Sequence, residues 1–229
     1  MNSTSKPQTK EAQYQICLEE EEQFGPERFG LMSGQCWRDD PRRVGFVLAR
    51  YKFVSKMFSG MNHVLEVGCA DAFGTRVVLQ EVKALTATDF DPVFVEYVNR
   101  TMSPKWKFEC IVHDMMAGPL SRGFDGAYAV DVLEHIPPAQ EEQFVGNIVK
   151  SLSPTGVCLF GSPSIQSQAY ASPPSKAGHV NCKDAKGLRE SMSKFFHNVF
   201  IFSMNDEVVH TGFYPMAHYL WALCANRKA

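Results

Sequence analysis

The chain of 229 residues is short of several features that would place it in a class at once. No Cys-x-x-Cys pair is present: seven cysteines, Cys17, Cys36, Cys69, Cys110, Cys158, Cys182 and Cys224, are odd in number and widely scattered. That excludes a disulfide framework and a thiolate zinc site, and it points to a reducing compartment. No apolar run approaches the length needed to cross a bilayer, and the polar stretch from Met1 to Lys10 lacks the apolar core of a signal peptide. A protein of the cytoplasm with no membrane partner is therefore expected. Charge of one sign is lacking too. The formal balance of 23 basic and 25 acidic residues is -2, which argues against a nucleic-acid partner and for a small, roughly neutral ligand. No internal repeat is visible. What the chain has is 45% hydrophobic and 12% aromatic residues, enough for one α/β domain with a substantial core.

Periodicity orders the chain. Residues 1–12 read as a flexible polar tail, and Glu19 to Glu22 as a solvated helix face. A first strong helix is expected from Asp39-Asp40-Pro41, where an acid caps and proline takes the first turn; Val44, Val47, Leu48, Tyr51, Val54 and Phe58 follow at helical spacing, and Gly60 stops it. His63 to Val67 is an apolar strand ending in Glu66-Val67-Gly68-Cys69-Ala70-Asp71-Ala72-Phe73-Gly74-Thr75, a small-residue turn that opens a helix. Short strands are then expected at Ala84 to Thr88, Lys107 to Val112, Phe124 to Val130 and Val157 to Phe160. Helices are expected from Asp91-Pro92 and over Pro137 to Leu152. Residues 163 to 180 read as a long loop, before a helix near Cys182 to Phe195. Two strands, Asn198 to Met204 and Ala217 to Ala225, close the chain as an antiparallel pair at one sheet edge. The alternation predicts an α/β fold, a mostly parallel sheet with helices on both faces.

Ligands of such sheets sit at the strand C-termini, where Glu66 to Ala70, Asp89, His113-Asp114-Met115, Val130-Asp131 and the loop after Gly161 all fall. In these residues the sequence resembles the class I S-adenosylmethionine-dependent methyltransferases over roughly residues 63 to 225. The resemblance implies a Rossmann-like seven-stranded sheet with an antiparallel last strand, residues 61–229, and an N-terminal helical segment, 13–60, covering the cofactor site. It implies that S-adenosylmethionine, leaving as S-adenosylhomocysteine, is held by Glu66, by the backbone of Gly68, Cys69 and Ala70, and by Asp89 at the ribose hydroxyls. Asp114 is implied at the adenine amino group, Phe90 and Met115 at the ring faces, and Val130 and Asp131 at the methionine end. Ala70 and Ala72 depart from the family, which more often has glycine there; the added methyl penalises positive φ. The same residues weaken a dinucleotide-dependent oxidoreductase, since Gly68, Ala70 and Phe73 supply only the first glycine of G-x-G-x-x-G.

Further residues admit two readings each. His135 and His179 are the candidate catalytic residues, as an imidazole accepts a proton near neutral pH; His135 equally fixes the turn before Pro137, and His179 equally lies exposed before a helix capped by Asn181. Asp131, Glu134 and His135 fall on one face of a helical turn and could hold a divalent ion, with His179 as a distant fourth ligand, but a structural hydrogen-bonding role is preferred and no metal is expected. Arg38, Arg42 and Arg43 beside Trp37 suit an anionic acceptor or plain surface salt bridges. The segment Asn205 to Pro215 suits an acceptor pocket or a homodimer contact. The resulting expectation is methyl transfer to oxygen or nitrogen of a small polar or sugar-like acceptor. The competing expectations are a non-catalytic cofactor-binding regulatory module and a metal-assisted transferase using Asp131, Glu134 and His135.

Overall fold

A computed structural model describes residues 6–228. Helices α1 (Gln15–Phe24), α2 (Leu31–Asp39) and α3 (Arg42–Met57) precede an alternating core of β1 (Val64–Val67), α4 (Thr75–Leu79), β2 (Leu85–Asp89), α5 (Pro92–Thr101), β3 (Glu109–Val112) and β4 (Phe124–Val130). Then come α6 (Glu141–Ser151), β5 (Leu152–Pro163), α7 (Pro173–Gly178), α8 (Ala185–Ser193), β6 (Phe196–Asn205), β7 (Val208–His210) and β8 (Tyr219–Arg227). The strands form one sheet in the order β3-β2-β1-β4-β5-β8-β6-β7. The first five in that order are parallel, and β8 is antiparallel to both β5 and β6. The closing strands pair antiparallel at one end of the sheet as expected, with β8 between β5 and β6, and the sheet has eight strands because Val208–His210 folds back on β6 as a short hairpin. Residues Ser153–Gly156 form a bulge within β5, since Phe124 pairs with Leu152 and Gly126 already with Val157.

The central parallel strands β1, β2 and β4 are buried on both faces, as helical crossovers require, while the edge strand β3 is partly exposed. One core gathers Leu65, Phe124, Phe144, Ile148, Phe160, Leu188 and Leu220; the other gathers Tyr51, Phe58, Val78, Tyr128, Leu159 and Trp221. Local signals set several boundaries. Asp91 accepts the Val93 N–H and Asp184 the Gly187 N–H, capping α5 and α8. Asp40 accepts the Arg42 N–H, so the acid read as a cap acts one residue before the proline.

One expectation is corrected: residues 163 to 180 are not an open loop, since they hold a 3-10 turn over Gln166–Tyr170 and the helix α7. Two helices precede the strong one at Arg42: α1, in which Glu19 to Glu22 are exposed, and α2, which escapes periodicity since only Ser33 in it is buried. Of the expected tail, residues 1–5 lie outside the described residues, while Lys6 pairs with Glu22 and Thr9 bonds Gln15. All seven cysteines are free, and no helix among the described residues is long and apolar enough to cross a membrane.

Candidate active site

The turn after β1 is built by close approach. Gly68 has φ +75°, and a Cβ there would run into Val132; a Cβ at Gly74 would run into the Tyr51 ring. Ala70 and Ala72 sit at φ +47° and +51°, and Asp131 at +59°. These are left-handed conformations that cost a non-glycine residue on the order of 1 kcal/mol each, so the surrounding contacts impose them. The loop's N–H groups turn inward: Gly68 and Cys69 donate to the Thr88 carbonyl, Ala72 to that of Cys69, and Ala70 to Asp89 Oδ2. A loop that spends its donors on itself has few left to cradle a pyrophosphate.

Glu66 is deeply buried, accepting the Tyr51 hydroxyl at 2.8 Å and the Thr75 hydroxyl at 2.6 Å. Burial pushes its pKa up, against the pull of those donors. Its side chain joins α3, β1 and α4, and it does not line the cavity beside the loop. That cavity, about 120 Å³, is lined by Gly68, Cys69, Ala70, Asp71, Val130 and Asp131 below and by Met32, Ser33, Cys36 and Val44 of α2 and α3 above. It is smaller than the roughly 300–1,000 Å³ of typical ligand pockets, so it suits one end of a larger molecule. Asp71 holds α2 in place, accepting the Ser33 N–H at 2.7 Å and its hydroxyl at 3.3 Å. Phe29, preceding α2, stacks on both Trp37 and Phe73.

Past the cavity the sheet end opens out. Asp89, 7% exposed, spends one oxygen on Ala70 N–H and the other on Asp91 N–H, which leaves each oxygen a further lone pair. Phe90 is 74% exposed and Asp114 is exposed, its Oδ1 accepting the Met116 N–H. Met115 is packed in the core at 2% exposure, so its side chain is not available at the surface as a flat face.

A second cavity, about 370 Å³, is lined by Arg50, Ser167, Gln168, Tyr170, His179, His218 and Tyr219 among others. The two cavities share a wall: Asp131 lines the first, Arg50 the second, and they pair at 2.6 Å, with the guanidinium 4.0 Å from the centre of the Tyr219 ring. Arg50 and His218 were not singled out in the sequence. Arg50 could have been, as the one basic residue on the buried side of the periodic helix α3.

Leu133–His135 is a single 3-10 turn, and the Glu134 carbonyl accepts the N–H groups of both Val180 and Asn181. This brings His179 to His135, ring centres 5.1 Å apart. Ligand atoms of Glu134, His135 and His179 lie within 4.8 Å of one another. The set read from the sequence is therefore corrected: Asp131 is drawn off to Arg50, and His179 is near rather than distant. Burial, and then Asp131, pushes the Glu134 pKa well up; burial, and then His135, lowers that of His179. Asn181 does not cap α8; its side chain donates to Glu141 instead. Arg42 and Arg43 pair with Asp40 and Asp39 at the surface, and Arg38 donates to the Gly34 carbonyl. His210 holds its own hairpin through Asn205 and Gly212, apart from both cavities.

Residues 64–156 match a methyltransferase domain family model. That stretch of the chain therefore carries a methyltransferase domain, set within the eight-stranded sheet described above. Among curated proteins it is similar to Nodulation protein S of Rhizobium tropici, 25% identical over 143 residues; the match takes in 59% of this chain and 60% of that relative's length. Among solved structures it is similar to the N-methyltransferase NodS of Bradyrhizobium japonicum in complex with S-adenosylhomocysteine. The TM-score is 0.58 at 22% identity, covering 83% of this chain and 91% of that one. A TehB-like S-adenosylmethionine-dependent methyltransferase of Corynebacterium glutamicum aligns with TM-score 0.61 at 16% identity, covering 84% and 95%. At such identities these structural likenesses are likenesses of fold.

Proposed function

We propose that the protein binds S-adenosylmethionine across the C-terminal ends of β1, β2 and β4 and transfers its methyl group to oxygen or nitrogen of a small polar acceptor in the second cavity. The observation that carries this reading is the shared Arg50–Asp131 wall, which sets a cavity fit for the cofactor's amino-acid end against one of acceptor size.

The residues suit the cofactor. Asp131 Oδ1 is buried with no partner, an acceptor fit for an ammonium. Asp89 keeps lone pairs for two neighbouring hydroxyls, and the exposed Phe90 offers a flat face to a base. Gly68 keeps the backbone close, α2 closes over the amino-acid end, and Glu66 acts as the brace between the loop and α3. When bound, the cofactor supplies a methyl already activated on a sulfonium. The protein's work is then to align acceptor, methyl carbon and sulfur and to exclude water, which supplies roughly 7–11 kcal/mol of barrier lowering, whereas a positioned base adds about 10²- to 10⁴-fold. Arg50 and Tyr219 form the side of the acceptor cavity nearest the cofactor, and His179 and Gln168 add polar groups to its lining. The similarity to the N-methyltransferase NodS supports an amine among the acceptors.

Calorimetry with S-adenosylmethionine tests the site. Asp89→Ala should weaken binding about 100-fold, the loss of two charge-assisted hydrogen bonds of roughly 1.5 kcal/mol each. Equal affinity of wild type and variant would refute the cofactor assignment. Labelled methyl should then pass from the cofactor to small metabolites of a cell extract; tight binding with no labelled product from any extract would leave a binding module instead.

A further inference from the structure

Glu134 is the least explained side chain in the molecule. It is 1% exposed, and neither carboxylate oxygen has a hydrogen-bond partner. A buried carboxylate in that state is costly unless something fills its vacant positions. The two imidazoles beside it are fixed by outer partners. His135 Nδ1 lies 2.9 Å from the Gly178 carbonyl oxygen, and His179 Nδ1 lies 2.9 Å from Gln168 Oε1. Both partners can only accept, so both Nδ1 atoms carry the proton and both Nε2 atoms keep a lone pair. An imidazole whose far nitrogen donates to a carbonyl is how metal-bound histidines are oriented.

We propose that Glu134, His135 and His179 bind one first-row divalent transition cation whose open positions take an oxygen of the acceptor. Two imidazole nitrogens and one carboxylate favour zinc, manganese, cobalt or iron over magnesium, which prefers oxygen donors. Three protein ligands leave positions open, as in catalytic rather than structural sites. His179 lines the second cavity, so the cation would border it. Asp131 is not a ligand: it is turned to Arg50 and lies outside the group of ligand atoms that Glu134, His135 and His179 form. A nitrogen that binds the cation cannot also take a proton, and Glu134 favours the cation: a proton relay would show it bonded to one of the histidines. The cation's service to an acceptor rests on the proposed methyl transfer, but its binding does not.

The test is therefore run on protein without cofactor or acceptor. After chelation and dialysis, cobalt(II) is titrated by calorimetry and followed by its visible d–d bands. Wild type should bind one ion, with bands of mixed nitrogen and oxygen coordination, and magnesium should not compete. Glu134→Gln and His179→Ala should each weaken cobalt binding by at least about tenfold, while His197→Ala, an exposed histidine on β6, should bind as wild type does. Circular dichroism of each variant controls for folding. Binding by wild type that matches both site variants, or no saturable binding up to about 1 mM, near the weak end of specific affinities, would overturn the assignment. Since that result leaves S-adenosylmethionine affinity untouched, it is distinguishable from failure of the methyltransferase reading.

Discussion

Ala70, Ala72 and Asp131 hold left-handed backbone around the cofactor-end cavity where glycine would be unstrained. The sequence flags the two alanines as a departure from the family's habit, and the structure answers with hydrogen bonds: Asp89 fixes Ala70, and the Cys69 carbonyl fixes Ala72. Glu66, read as a cofactor contact, is so well bonded to Tyr51 and Thr75 that it serves the loop's shape. No sequence pattern separates these roles, because both need an acid at the end of β1. Burial gives Glu66 a pH signature. Its pKa is raised on folding, so its contribution to stability is full below the ordinary glutamate value of about 4.3 and is lost as pH rises through the folded value. Glu66→Gln, which cannot ionise, should therefore gain stability relative to wild type as pH rises from about 5 to about 8. Melting temperatures of the two proteins across that range check it; a difference that stays constant with pH would contradict it.

Among elements, α2 is the one that tertiary structure alone explains. It has a glycine at position 34, one buried residue and no apolar stripe, and it is held by Asp71 and by the stack of Phe29 on Trp37 and Phe73. Isolated helices of this length are marginal, so its place depends on those contacts. A Cβ at Gly30 would collide with the Asp71 side chain. Gly30→Ala should thus unseat α2 at a cost of about 1–3 kcal/mol and lower S-adenosylmethionine affinity by roughly tenfold. Calorimetry reads the affinity, and hydrogen exchange should quicken over residues 29–39 while the sheet stays protected. By contrast α3 and α5 were legible, since apolar periodicity and capping acids are local signals, whereas α8 was placed near its true position but with Asn181 in place of Asp184 as its cap.

At the scale of the whole molecule, stability lies in two cores on opposite faces of one sheet, which the inserted strand β8 helps to close. Trp221 on β8 is fully buried, packs 5.1 Å from the Phe53 ring and donates its indole N–H to Met204 Sδ. Trp221→Ala should cost about 3–5 kcal/mol, seen as a lower denaturation midpoint by far-ultraviolet circular dichroism; a loss below about 1 kcal/mol, the range of most surface substitutions, would mean the strand is not integral to the core. The sequence by itself determined the alternation of strands and helices, the parallel sheet and the carboxylates at its strand ends. Those follow from residue periodicity and from where such sheets bind ligands. Only the tertiary structure decided that β8 enters between β5 and β6, that Arg50 takes Asp131, and that His179 reaches Glu134 and His135. Each of these is a meeting of segments far apart in the chain, set by how helices and loops pack over the sheet rather than by any local pattern.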